Sequence, residues 1–315
     1  MDQAALSIIM LLGPTAAGKT ATALALADRA PCRLISMDSA MVYRGMDIGT
    51  AKPDAATQEK YPHALIDIRD PAEPFSAASF VEEADREVTA ARRVGRLPVL
   101  VGGAMLYARA FRDGLAQLPR ASAAIREAIS ARAAADGWPA LHGWLARVDP
   151  EAAAAIHPNN SQRLQRALEV FEATGRPISA WWRDRAQRGA RRRLGEPVRA
   201  FAVMPDDRTR LHGRIARRFD AMLEAGFAGE VRALRERGDL HLGLPSMRAV
   251  GYRQMWDHLR GKTDADEMRA RAIAATRQLA KKQFTWLRQW PDLTALDWRD
   301  PEAAARAVLD GSLSD

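Results

Sequence analysis

In 315 residues the sequence has one cysteine, Cys32, six lysines, and no apolar run near the ~18–20 residues that a membrane-spanning helix requires. A single cysteine closes no disulfide within the chain and builds no cysteine-based structural zinc site. His157 has no second ligand at metal-binding spacing, so no zinc site is expected. The apolar start ALSIIMLLG (5–13) lacks the basic flank and small-residue cleavage site of a secretion signal. It reads as a buried strand, and the expected location is cytoplasmic.

The shortage of lysine leaves arginine to supply most of the charge. Forty-seven basic residues face 39 acidic ones, for a net charge of +8. That balance favours an anionic partner, and the planar guanidinium fork suits phosphate. A GC-rich coding bias would yield the same excess of arginine and alanine. Composition alone therefore leaves nucleic-acid binding open.

Short apolar runs at 6–12, 33–37, 64–68 and 97–101 are each bounded by turn residues, as strands buried on both faces should be. Helical patterns alternate with them: ATALALADRA follows the first run, and a longer one opens at Ser76 as N-cap and stops at Gly95. Alternating strands and helices predict an α/β fold with a parallel sheet flanked by helices. From Pro119 to about 196 the pattern is helical, rich in Ala and Arg, with no convincing strand. PVRAFAVMP (197–205) then returns to the sheet, and 206–290 is helical with breaks near Gly226, Gly238 to Pro245 and Gly261. The expected organisation is a first core part at 1–118, a helical insertion domain at 119–196, and a mostly helical second core part at 197–315.

GPTAAGKT fits the phosphate-loop pattern G-x-x-x-x-G-K-[ST] and stands between a strand and a helix. Gly13, Pro14, Thr15, Ala16, Ala17, Gly18, Lys19 and Thr20 form the candidate diphosphate or nucleotide site. The glycines let backbone amides at the helix start wrap an anion. Lys19 adds charge, and the Thr20 hydroxyl is placed to hold Mg²⁺, the expected cofactor. Motif alone would label this an ATP site. ATP hydrolases, however, normally end a neighbouring strand in a magnesium-holding Asp, and here LPVLV runs into Gly102–Gly103. LISM ends in Asp38, which a parallel sheet puts on the phosphate edge. There it could ligate magnesium indirectly, cap a helix or act as a base.

Five blocks then resemble the tRNA dimethylallyltransferase family in its order: DSAMVYRGMDIGTAKP (38–53), VGGAMLY (101–107), SQRLQRALEVFEATGRPIS (161–179), RAVGYRQ (248–254) and TRQLAKKQFTWLR (276–288). The resemblance implies transfer of a dimethylallyl group from dimethylallyl diphosphate to N6 of an adenine in tRNA. That adenine lies 3′ of the anticodon in tRNAs reading codons that start with U, and diphosphate leaves. It implies that Asp38 is the catalytic base and that Arg126 reaches the same diphosphate. Without that resemblance, Arg126 reads first as a solvated helix residue.

The tRNA-contacting segments implied are Asp38, Ser39, Ala40 and Met41; Ala104; Gln162, Arg163, Leu164, Gln165 and Arg166; Arg248, Ala249, Val250, Gly251, Tyr252 and Arg253; and Lys281, Lys282, Gln283, Phe284, Thr285, Trp286, Leu287 and Arg288. Ala104 stands where the family usually has threonine, so one hydroxyl contact is absent. On helices, Gln162 and Arg166 share a face, and Arg277 and Lys281 share another. The run RDRAQRGARRR (183–193) is either a phosphate-tracking patch or a solvated helix. Seven tryptophans in helical segments, among them Trp181, Trp182 and Trp286, read as core before base-stacking.

The expected partners are the tRNA anticodon stem-loop and dimethylallyl diphosphate, with no membrane and a monomeric enzyme. A transferase acting on free adenylate would share the phosphate loop and the acceptor chemistry. A small-molecule kinase would need ATP phosphoryl transfer. A non-catalytic RNA-binding module would leave the loop and Asp38 idle.

Overall fold

The structure, a computed structural model, describes residues 7–116, 118–119, 122–184 and 188–313. It divides into two compact units, Met1–Arg112 with Leu194–Asp315, and Asp113–Arg193. The first unit opens with β1 (Ile8–Leu12), α1 (Lys19–Ala27), β2 (Cys32–Met37), α2 (Ala55–Lys60), β3 (His63–Ala64), α3 (Ala77–Arg93), β4 (Leu97–Gly102) and α4 (Met105–Asp113). Next come α5 (Ala123–Val148), α6 (Pro150–Ala155), α7 (Ser161–Thr174), α8 (Ile178–Asp184) and α9 (Ala190–Leu194). The chain then returns through β5 (Val198–Val203), α10 (Arg208–Glu224), α11 (Phe227–Glu236), α12 (Tyr252–Leu259), α13 (Ala265–Arg288), β6 (Leu293–Leu296) and α14 (Pro301–Leu313).

All six strands are parallel, in the order β3-β2-β4-β1-β5-β6. Every residue of β1 is fully buried, which is why IIMLL shows no polar alternation. Ile9 and Leu11 pack with Leu34, Val99, Phe201 and Val203 into one core that also takes in α1 and α14. Ile8, Met10 and Leu12 point to the opposite face. There α3, capped by Ser76 and buried along Phe80, Ala84, Val88 and Ala91, packs beside β2 and β4. Burying a side chain such as Phe80 or Val88 contributes roughly 1.5–3 kcal/mol. The result for function is one edge on which the ends of β2, β4, β1 and β5 stand side by side.

Two strand expectations change. The run at 64–68 is a strand only at His63–Ala64. Leu65 and Asp67 then adopt left-handed φ of 64° and 58°, and the chain leaves β2 to hydrogen-bond the loop after it, through Asp67 N–H to Met41 O and Arg69 N–H to Val42 O. The other change is an addition. β6 closes the far edge, and its sequence LTAL, exposed at both central positions, carries no apolar signature. The helices after β5 break where glycine punctuates the sequence, with Gly226 at φ 96° and Gly261 at φ 74°.

The second unit, Asp113–Arg193, is helical; the sequence suggested an insertion at 119–196. α5 breaks at Gly137 (φ 78°) and resumes around Pro139. Its residues Ile129, Leu141 and Leu145 pack with Leu164, Leu168 and Val170 of α7, and Trp138, Trp144, Trp181 and Trp182 lie against that core. No helix among the described residues is long and apolar enough to cross a membrane.

Candidate active site

The phosphate loop leaves β1 at the middle of the sheet. Gly18, at φ 107°, is the left-handed residue that turns the loop into α1, a conformation a side chain would strain. Ala17 is fully buried beneath the loop. The Lys19 ammonium donates to the carbonyls of Gly13 (3.0 Å) and Pro14 (2.9 Å), and Thr20 is exposed at the start of the helix.

Over this loop lies a face of α10 that sequence reasoning missed. Arg214, Arg217 and Arg218 stand at i, i+3 and i+4, hence on one side of the helix. With Ala16, Gly18, Lys19 and Thr20 they line a cavity of about 410 Å³. Arg218 donates to Thr15 Oγ1 (3.5 Å) and to the Thr50 carbonyl (3.4 Å). A Cβ on Gly18 would lie 3.6 Å from Arg214 Nη2, which shows how closely that guanidinium approaches the loop. Among the described residues, none of Lys19, Arg214, Arg217 and Arg218 is ion-paired to a carboxylate within 4 Å. Burial, then the neighbouring Arg218, lowers the Lys19 pKa to about 8, against the pull of Asp38. Burial also lowers Arg214 and Arg218, the former further through Arg217. Such a cluster is suited to an anion carrying several charges.

A second cavity, of about 340 Å³, shares Ala16 and Arg218 with the first. Its apolar wall comes from Ile215, Phe219, Met222, Val250 and Leu279. Asp38, Ser39, Ala40, Ala104, Arg248, Ala249, Gly251, Tyr252, Thr276 and Gln283 also line it, so four of the sequence blocks meet here. Asp38 Oδ1 accepts from the amides of Ala40 (2.8 Å) and Met41 (3.2 Å), which fixes the carboxylate. Its Oδ2 has no hydrogen-bond partner among the described residues and remains to accept a proton. Ala104 contributes only a methyl group.

Between these features stands the Gly102–Gly103 end of β4. A Cβ on Gly102 would fall 1.9 Å from the Met37 carbonyl oxygen, so no carboxylate fits at that strand end without displacing β2. Beside the second cavity, Glu230 of α11 accepts from the amides of Asp47 (2.8 Å), Ile48 (2.7 Å) and Gly49 (3.2 Å), and from the Tyr252 hydroxyl (2.5 Å). One carboxylate thus ties the loop after Asp38 to the start of α12. Burial, and then the Glu230 charge, raise the Tyr252 pKa. Glu230 had no signal in the sequence, because it serves a loop 180 residues earlier.

Other sequence candidates lie elsewhere. In the second unit Arg126 is exposed, and its Nε donates to Glu169 Oε1 at 3.2 Å. The Glu169 side chain, 5% exposed, also takes Arg166 Nη1 at 3.4 Å, while Arg166 Nη2 donates to the Pro119 carbonyl. Glu169 therefore holds two arginines of the sequence reading and was not part of it. Gln162 and Arg163 are exposed, Gln165 donates to Ser130, and Leu164 is core. In the run 183–193, Arg183 pairs with Glu151, and 185–187 lie outside the described residues.

α13 divides its block between two faces. Lys281, Phe284, Thr285 and Arg288 line an outer groove with Arg208, His212 and Arg277. Lys282 and Arg253 are exposed and Trp286 half-buried, whereas Leu287 is core and Gln283 turns inward to the phosphate loop. Met41 is half-buried against Ser36. No group of three His, Cys, Asp or Glu side chains that could hold a metal is present among the described residues.

The fold and site define a parallel-sheet P-loop protein whose anion seat opens into a second cavity bearing a carboxylate. The family model described as IPP transferase matches residues 41–290, and the chain belongs to that family. It is 55% identical to a tRNA dimethylallyltransferase of Chromohalobacter salexigens, over 94% of this chain and 93% of the relative. The identity is likewise 55% to one of Bordetella petrii, over 96% and 95%. Among solved structures, a tRNA isopentenylpyrophosphate transferase from Bacillus halodurans aligns at TM-score 0.69 and 36% identity, over 98% of this chain and 96% of that one. A eukaryotic dimethylallyltransferase acting on tRNA, 24% identical, shares the fold at TM-score 0.80, over 96% and 78%.

Proposed function

We propose that this enzyme transfers a dimethylallyl group from dimethylallyl diphosphate to N6 of the adenine 3′-adjacent to the anticodon, in tRNAs reading codons that start with U. The observation that carries this reading is the pair of cavities joined at Ala16 and Arg218, one cationic and one apolar with a carboxylate. A donor with an anionic end and a short hydrocarbon end fits across that junction. The names of the 55% identical relatives supply the acceptor.

In the reaction the C1–O bond of the donor breaks, its electron pair leaves on diphosphate, and N6 of adenine bonds to C1. Negative charge grows on the leaving oxygens, and donors already aimed there stabilise it most. The loop amides, Lys19 and the arginines of α10 take that role. The N6 proton passes to Asp38 Oδ2 once C–N bonding has made it acidic. Magnesium would sit at Thr20 and take its other ligands from donor oxygens and water, as is usual for this ion; it would add positive charge beside the diphosphate. Arg126 is assigned to the same leaving group, and the enzyme is taken to act as a monomer.

The test offers enzyme, Mg²⁺ and dimethylallyl diphosphate either an anticodon stem-loop or AMP. Prenylation of the stem-loop, abolished when guanine replaces the target adenine, is expected. Efficient prenylation of AMP with inert stem-loop and inert full-length tRNA would instead make the enzyme an adenylate transferase.

A further inference from the structure

The geometry points to Gln283 as a positioning residue that locks the phosphate loop to the end of β4, so that α13 sets the shape of the donor seat. This rests on the reading of the loop as the diphosphate site. The Gln283 side chain comes from the inner face of α13 and is 6% exposed. Its Oε1 accepts from the Thr15 amide at 2.8 Å, and its Nε2 donates to the Gly103 carbonyl at 2.8 Å. One amide thus bridges two loops that adjoin at the ends of neighbouring strands. A Cβ on Gly103 would come within 2.4 Å of Gln283 Nε2 and 3.1 Å of the Gly13 carbonyl oxygen, so the glycine leaves room for the bridge.

The bridge has a functional consequence. The Thr15 amide is committed to Gln283 and the Ala17 amide to the Pro14 carbonyl (3.3 Å), which leaves the amides that follow, at the start of α1, to face the anion. Without the bridge, the Thr15 N–H and the Gly103 carbonyl lose their partner in a poorly hydrated place, and the loop is free to turn its amides away. Gln283 belongs to the block expected to contact tRNA, but a side chain spent on Thr15 and Gly103 serves the donor.

Gln283→Glu separates these roles, because it keeps size and the acceptor oxygen yet replaces the donor with a charged oxygen facing the Gly103 carbonyl. Inorganic diphosphate binding with Mg²⁺ and stem-loop binding are measured by calorimetry on wild type and variant, over pH 5.5 to 8. Diphosphate affinity is expected to fall at least tenfold at neutral pH, with stem-loop affinity within about twofold. As pH falls, the Glu carboxyl protonates and regains a donor, so the deficit relative to wild type at each pH should shrink. Weakened stem-loop binding with unchanged diphosphate affinity would overturn the proposal in favour of an RNA contact. Equal losses in both at every pH would also overturn it, as a purely structural role. A wild-type enzyme that binds no diphosphate would fail the donor-site reading itself, a result distinct from the other two.

Discussion

Lys19 and Arg126 are both assigned to the leaving diphosphate, yet they stand in opposite settings. Lys19 is half-buried, donates only to backbone carbonyls and has Arg218 as a like-charged neighbour, which together with burial brings its pKa to about 8. Arg126 is 61% exposed at the side chain and rests on Glu169. A crowded, desolvated cluster gains strongly when an anion arrives, because the anion relieves repulsion and replaces lost hydration. An exposed arginine already paired gains little, since water and Glu169 serve it before the substrate does. The phosphate end of the first unit should therefore dominate catalysis, and the second unit should tune it.

The largest effect expected is at Asp38. Asp38→Asn should lower the single-turnover rate by on the order of 10²–10⁴ while stem-loop affinity holds; a rate within fivefold of wild type would remove it from the base role. Lys19→Ala and Arg218→Met should each cost roughly 10²–10³ in kcat/KM for the donor, the scale of losing one preorganised donor from a dry site. Arg126→Ala sharpens the comparison, with an expected loss of about tenfold for the donor, the effect of a more exposed charge. A loss as large as that of Lys19→Ala would break the contrast between the settings.

The pH profile gives a smaller but more specific signal. Bound diphosphate favours the charged form of Lys19, so donor affinity should be full below about pH 8 and fall as pH rises through that value. Lys19→Arg should remove the alkaline fall, because a guanidinium keeps its proton there. A wild-type profile flat to pH 9.5 would contradict the lowered pKa. The smallest effect belongs to Ala104→Thr, which returns a hydroxyl to the cavity wall and should change stem-loop kcat/KM by less than about fivefold, roughly one neutral hydrogen bond.

Local features were the legible ones. β1, the phosphate loop and α1 are contiguous, so one stretch of sequence carries strand, glycines and lysine together, and Asp38 follows its strand directly. Arg218 and Glu230 were not legible, because each acts on a segment distant in sequence; Glu169 lies one turn from Arg166, but its tie to Arg126 spans 43 residues. In RIARRF (214–219) nothing local says that α10 lies over the loop at 13–20. The block TRQLAKKQFTWLR marked α13 as functional but could not say which side chain faces which way. Lys281 and Arg288 line the outer groove while Gln283 holds the loop, a division only the packed helix reveals. β6 escaped because a four-residue edge strand with both central positions exposed carries no apolar pattern.

The most direct test of the account is mass spectrometry of nucleosides from the host's tRNA with and without this gene. Adenosine bearing a dimethylallyl group at N6, or a nucleoside made from it, should disappear on deletion, return with the wild-type gene, and stay absent with the Asp38→Asn gene. An unchanged nucleoside profile after deletion would contradict the claim that this enzyme prenylates tRNA.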